Sequence, residues 1–185
     1  MSKKRRKSQH RKIKPIFFVF CEGKTEEAYS NFLKQKYGIP IKIKTKIIGQ
    51  EISGKIIANH KREIQKGNYS KDDKVFLMYD IDSAEILSRL QNIPEAIILA
   101  SNPCVELWFL LHYRDQNAHI TSSQCTRELK GVNPQYEKGA LNRTLEAALN
   151  SGQTDAAERA KNKAEYSNPS STVYKLIDEL EKVKK

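Results

Sequence analysis

IFFVFCEGKTEE, residues 16–27, decides how the chain is read. Five apolar or aromatic residues run straight into Cys21, Glu22 and Gly23, and a helix-starting pattern follows. A fully buried strand that ends in an acid and a glycine is the first βα unit of an open α/β sheet. Ligands of such sheets sit beyond the carboxyl ends of the strands, and Glu22 stands at that edge. KVFLMYDIDS, residues 74–83, repeats the pattern with Asp80 and Asp82. The expectation is that folding brings Glu22, Asp80 and Asp82 together to hold a divalent metal.

Working outward, a helix is predicted from Thr25, which serves as its cap, with Glu26 and Glu27 at the positive end of its dipole. Tyr29, Phe32 and Leu33 form its buried face, and Gly38 and Pro40 stop it. IKIKTKII (41–48) alternates strictly, with Ile41, Ile43, Thr45 and Ile47 on one side and Lys42, Lys44 and Lys46 on the other. That is a half-exposed strand at a sheet edge, where lysines discourage unwanted pairing; a lysine row facing phosphates is the functional reading. A helix near 55–66 carries His60 on its face or boundary. Strand 74–79, helix 84–91 capped by Ser83 and strand 96–100 follow. SNPCVELWFLLHY (101–113) reads as a buried helix, with Ser101 or Asn102 as cap, Pro103 in the first turn, and Glu106 as an acid that needs a partner or a metal. Strand–helix alternation to residue 113 supports a parallel sheet with crossover helices. Beyond it, 122–130, 140–165 and 168–184 read as helices.

The expected architecture is an open, mostly parallel α/β sheet with flanking helices: an arm over 1–14, an α/β domain over 15–115, and a helical C-terminal extension over 116–185 packed on the same domain. The chain has 185 residues and a net charge of +11. The first 14 residues hold eight Lys or Arg and no acid; without those eight, 25 basic face 22 acidic residues, a body near +3. The arm should be disordered. Its Lys3, Lys4, Arg5, Arg6 and Lys7 are candidates for neutralising phosphates, and a solubilising arm is the alternative. No apolar run approaches the ~20 residues that span a bilayer, and the N-terminus lacks a secretory pattern, so a cytoplasmic protein with no membrane partner is expected. Cys21, Cys104 and Cys125 form no CxxC, which argues for reduced, mostly buried thiols.

Asp80 and Asp82 lie two apart, so in extended backbone both side chains point to one side. Mg²⁺ (or Mn²⁺) is satisfied by one or two carboxylates plus waters. Gly23-Lys24-Thr25 resembles the end of a phosphate loop, but Phe18 stands where a glycine is required. Nucleophilic catalysis by Cys21 or Cys104 with His112 is conceivable from residue types alone.

E-G-x-T-E at 22–26 with Tyr29, D-I-D at 80–82, and S-N-P-x-x-E-x-W-x-L-L-H at 101–112 together resemble the RloB family. The likeness covers most of the chain, through N-P-S-S-x-x-Y at 168–174, and the third motif is the most specific. It implies a Toprim-like fold, with Glu22 as acid/base and Asp80 and Asp82 as Mg²⁺ ligands. Glu106 is a further motif acid, counted with Glu22 as catalytic; Glu26 and Glu27 either serve as the further acids of the first motif or simply begin the helix, and His112 and Asn102 are nearby polar residues. It implies a role in prokaryotic defence or restriction loci and an ABC- or AAA-type ATPase partner. The expected function is a metal-dependent nuclease acting on DNA or RNA/tRNA, with Lys24 contacting phosphate. The alternative is a non-catalytic nucleic-acid-binding or regulatory subunit that keeps the fold.

Overall fold

The structure is a computed structural model that describes residues 15–38, 42–66, 70–81 and 83–184. The expected arm, with Lys3, Lys4, Arg5, Arg6 and Lys7, lies outside the described residues, and so does Asp82. The described chain runs β1 (Ile16–Cys21), α1 (Lys24–Tyr37), β2 (Lys42–Ile47), α2 (Gly54–Gln65), β3 (Lys74–Asp80), α3 (Ala84–Gln91) and β4 (Ala96–Asn102). It continues through α4 (Val105–Leu110), α5 (Ser122–Val132), α6 (Arg143–Ser151), α7 (Gln153–Lys161), β5 (Ser170–Ser171) and α8 (Tyr174–Lys184).

The five strands lie in the order β2-β1-β3-β4-β5. β2, β1, β3 and β4 are parallel, and β5 pairs antiparallel with β4. This is the mostly parallel, helix-flanked α/β sheet that the alternation of strands and helices predicted. Side chains alternate along each strand, so the sheet feeds two cores. Phe17, Val19, Cys21, Phe76, Met78 and Leu99 face α1 and α4. Phe18, Phe20, Val75, Leu77 and Tyr79 face α2 and α3. The four phenylalanines of β1 and β3 are at most 1% exposed, and each contributes roughly 1.5–3 kcal/mol by burial. Leu129, Leu145, Leu149, Leu176 and Leu180 of the C-terminal helices join the first core, so that region shares one interior with the sheet.

This layering creates the feature that positions the site. α1 covers one face, whereas α2 and α3 cover the other. Chain connections leave β1 towards β2 and leave β3 towards β4, in opposite directions. The switch point therefore lies between the adjacent carboxyl ends of β1 and β3, where open α/β sheets bind ligands. At the opposite end the Asp73 carboxylate accepts from Ile16 N (2.7 Å) and Gln65 Nε2 (2.6 Å), tying the starts of these strands together.

Several boundaries differ from the sequence reading. α1 starts at Lys24 with Gly23 as its cap, not at Thr25, because the Glu26 carboxylate reaches back to accept from Gly23 N at 3.1 Å. β4 continues through Ser101 and Asn102, since β5 adds to it: Ser101 and Ser171 are register partners with hydroxyls 3.0 Å apart. α4 is consequently only six residues, capped by Cys104 and wholly buried. Asn168-Pro169 likewise leads into β5, with α8 starting at Tyr174. The single helix expected over 140–165 is two, broken at Gly152, where an added Cβ would stand 2.6 Å from the His112 carbonyl oxygen. β2 is the edge strand as expected, but of its apolar row Ile43 is buried and Ile47 is exposed. A two-core sheet covers its outermost strand incompletely.

Candidate functional site

The site is built from the turns that follow β1 and β3. Glu22 N donates to the Met78 carbonyl at 3.1 Å, which extends the β1–β3 pairing one residue past the strand. Glu22 Oε2 in turn accepts from Asp80 N at 3.1 Å. The two sequence-predicted acids are therefore neighbours across the switch point. Asp80 Oδ1 accepts from Val105 N at 2.8 Å, at the start of α4. This bond satisfies one of the N–H groups left open at a helix start and brings Glu106, the next residue, towards Asp80.

Glu106 is 1% exposed, and it has the partners that its burial demands. Tyr136 Oη donates to Glu106 Oε1 at 2.8 Å, and Lys138 Nζ lies 3.6 Å from the same oxygen. Both come from the segment between α5 and α6. Gly139 N also donates to Thr25 Oγ1 at 3.0 Å, so this segment is pinned over the start of α1. Lys24 is exposed beside it, and a Cβ on Gly139 would come 3.3 Å from Lys24 Cβ.

Glu26, which the sequence left open as a helix-start residue or a further motif acid, is 5% exposed and belongs to the acidic group. Burial raises its pKa, and the charges of Glu22 and Glu106 add to the effect. Asp80 is held well above the usual carboxylate range, first by desolvation and then by the charges of Glu26, Glu106 and Glu22. Four carboxylates thus crowd one sheet edge, with Lys138 drawn towards them: Glu106 and Asp80 both raise its pKa against the effect of burial. Such crowding costs free energy without a counter-charge. Oxygen donors with excess negative charge are the chemistry that suits a hard divalent cation. Among the described residues, however, no three His, Cys, Asp or Glu side chains are placed to share one metal ion. Glu22 and Asp80 form a pair, which fits the one or two carboxylates that Mg²⁺ commonly takes.

The other expected residues do not join the acidic group. His112 is buried under α4, where its Nδ1 lies 2.8 Å from the Trp108 carbonyl. Burial lowers its pKa to about 4, so the ring is neutral and Nδ1–H donates to that carbonyl. The thiols are all buried. Cys21 lies 3.7 Å from Ser30 Oγ and burial pushes its pKa up to about 12. The Cys104 thiol lies against Cys125, and that contact and burial raise its pKa too. The thiols and His112 thus have other partners, Ser30, Cys125 and the Trp108 carbonyl, and the Cys–His reading gains no support. Asn102 points elsewhere as well, donating from Nδ2 to the Tyr166 carbonyl at 3.0 Å.

Sequence reasoning missed Tyr136 and Lys138, whose only local signal is a polar loop between helices. No helix among the described residues is long and apolar enough to cross a membrane. A family model described as RloB-like protein matches residues 17–180. No curated protein and no solved structure matches the chain.

Proposed function

This chain belongs to the RloB-like protein family, and from that membership and its acidic switch point we propose that it is a Mg²⁺-dependent, Toprim-like phosphodiesterase cleaving nucleic acid in prokaryotic defence. The observation that carries the reading is the Glu22–Asp80 bond across the switch point. Glu22 is the general acid/base: its carboxylate is oriented by the Asp80 N–H, and it takes or returns the proton of the attacking or leaving oxygen. Asp80, fixed through Oδ1 by Val105 N, holds Mg²⁺ (or Mn²⁺) together with Glu22, and Asp82 follows in sequence as the further ligand. What the bound cation supplies is charge stabilisation at the phosphoryl group and leaving oxygen. Glu106 keeps the start of α4 in place through Tyr136 and Lys138. Lys24 and Lys138, both exposed where the 136–139 segment meets the start of α1, bind the substrate phosphates. The basic arm adds salt-dependent affinity, and an ABC- or AAA-type ATPase is the partner protein that the family resemblance implies.

The test is cleavage of plasmid, single-stranded DNA and tRNA with Mg²⁺ or Mn²⁺. Activity should be lost in Glu22→Gln and Asp80→Ala, and equal activity in these variants refutes the assignment. A second reading, a non-catalytic nucleic-acid-binding or regulatory subunit in which the acids serve only the fold, is favoured by one observation: Glu22 Oε2 and Asp80 Oδ1 each accept a backbone N–H, from Asp80 and Val105. Calorimetric titration with Mg²⁺ separates the two, since the second reading requires neither heat of binding nor stabilisation.

A further inference from the structure

A cavity of about 410 Å³ opens beside the ends of β3 and β4, lined by Ile81, Leu87, Asn102, His119, Tyr166 and Asn168 among others. Its volume is within the usual range for small-molecule sites. Ile81 directly follows Asp80, and its N–H donates to the Ser101 carbonyl, so the cavity shares the sheet edge that carries the acids. The walls combine apolar side chains, one phenol, one imidazole and two carboxamides, a mixture suited to a flat polar ring.

Two features set this place apart from an ordinary surface dent. Tyr166 has φ +68°, a left-handed conformation that is a genuine outlier for a bulky residue and costs of order 1–3 kcal/mol. It is held there by Asn102 Nδ2 on its carbonyl at 3.0 Å, with the Lys175 ammonium over its ring. His119 is exposed and has no hydrogen-bond partner among the described residues. Its backbone is nonetheless fixed, because the Asn168 amide bonds both Ile120 N (3.0 Å) and Ile120 O (2.9 Å). His119 is also the common wall of a second depression, of about 260 Å³, which contains Arg114 and Arg127. These two guanidiniums share the single carboxylate of Glu128, at 2.9 and 3.8 Å. Positive charge remains over, and the Arg127 side chain is 74% exposed.

We propose that the cavity seats an unpaired nucleobase of a single-stranded segment next to the cleaved bond, with the following phosphate over Arg127. A duplex keeps its bases stacked inside, whereas a splayed base can enter a concave site and stack on aromatic rings. The inference rests on the reading that the chain acts on nucleic acid, and it narrows the substrate class to single strands or unpaired loops.

Fluorescence anisotropy of the full chain in EDTA, with labelled single-stranded and duplex oligonucleotides, tests binding apart from cleavage. His119→Ala removes the shared wall, and Ala84→Trp fills the cavity from the exposed first turn of α3. Both should weaken single-strand binding by about fivefold or more, the scale of one stacked base, and leave duplex binding unchanged. Circular dichroism checks that both variants fold. Single-strand affinity within about twofold of wild type in both folded variants overturns the proposal, and so does a wild-type chain that binds no single strand. If His119→Ala loses binding while no cleavage is ever observed, the base site stands and the nuclease reading falls.

Discussion

Tyr136→Phe should destabilise the protein by about 2 kcal/mol while leaving its fold intact, because a hydrogen bond to a charged group contributes about 1.5–3 kcal/mol. Tyr136 and Glu106 are each 1% exposed, and the hydroxyl meets Oε1 at 2.8 Å. Burial raises the phenol pKa, and the Glu106 charge raises it further, so the hydroxyl remains a donor at working pH. Phenylalanine keeps the ring, which stands edge-on to Phe109 with centroids 6.3 Å apart. The substitution thus removes one bond and little packing. Lys138 remains 3.6 Å from Glu106, but its side chain is 62% exposed, and such pairs contribute no more than ~1 kcal/mol. For a chain of this length 2 kcal/mol lowers Tm by roughly 4–8 °C. Thermal unfolding followed by circular dichroism reads this directly. The loss should persist at high salt, since buried interactions are little screened. A double-mutant cycle with Glu106→Gln should give a coupling of about 1–2 kcal/mol. A Tm unchanged to within about a degree, well below the expected shift, or strictly additive variants, would refute the account of how Glu106 is held.

Asp80→Asn keeps the acceptor for Val105 N but removes the crowded charge. The folded-state pKa of Asp80 is raised, so its ionisation destabilises the fold. Without metal the variant should be more stable than wild type at neutral pH, and the advantage should disappear as pH falls through the raised pKa towards the unfolded value of about 4. Urea titrations across that range check it, and a constant difference would contradict the crowding. Gly152→Ala drives a methyl to 2.6 Å from the His112 carbonyl and should cost about 1–3 kcal/mol by overpacking, read as a lowered urea midpoint. Thr172→Val removes the hydroxyl that accepts from Ala100 N at 2.8 Å and donates to Ile98 O at 2.9 Å. Orphaning that buried N–H should cost about 1–3 kcal/mol and speed amide exchange at Ala100. Lys138→Ala should change stability by less than ~1 kcal/mol yet reduce the salt slope of oligonucleotide binding by about one.

The two central strands were legible because an uninterrupted apolar run has few uses other than a strand covered on both faces. β1 and β3 begin where the pattern places them, and the edge position of β2 follows from its lysines. Glu22, Asp80 and Glu106 were legible as acids at strand ends or in a buried helix, where ordinary packing does not need them. The ends of β4 and α4 were not, because Ser101 and Asn102 are good caps in isolation and became strand residues only when Ser170 and Ser171 arrived from the far end of the chain. Glu26 stayed open between helix start and further motif acid for the same reason. A carboxylate in a first helical turn is ordinary, and its burial among three other acids is a matter of neighbours.

By itself, then, the sequence determined which segments are buried, with what period, and which acids stand at their ends, because periodicity along a chain records burial. Tertiary structure alone decided that β1 and β3 are adjacent and that their carboxyl ends form the switch point. It also decided that Tyr136, Lys138 and Gly139 close over the start of α1, a contact between residues 114 positions apart. Charge crowding, hydrogen bonding and desolvation depend on distance through space, and no local pattern encodes which distant side chains will meet.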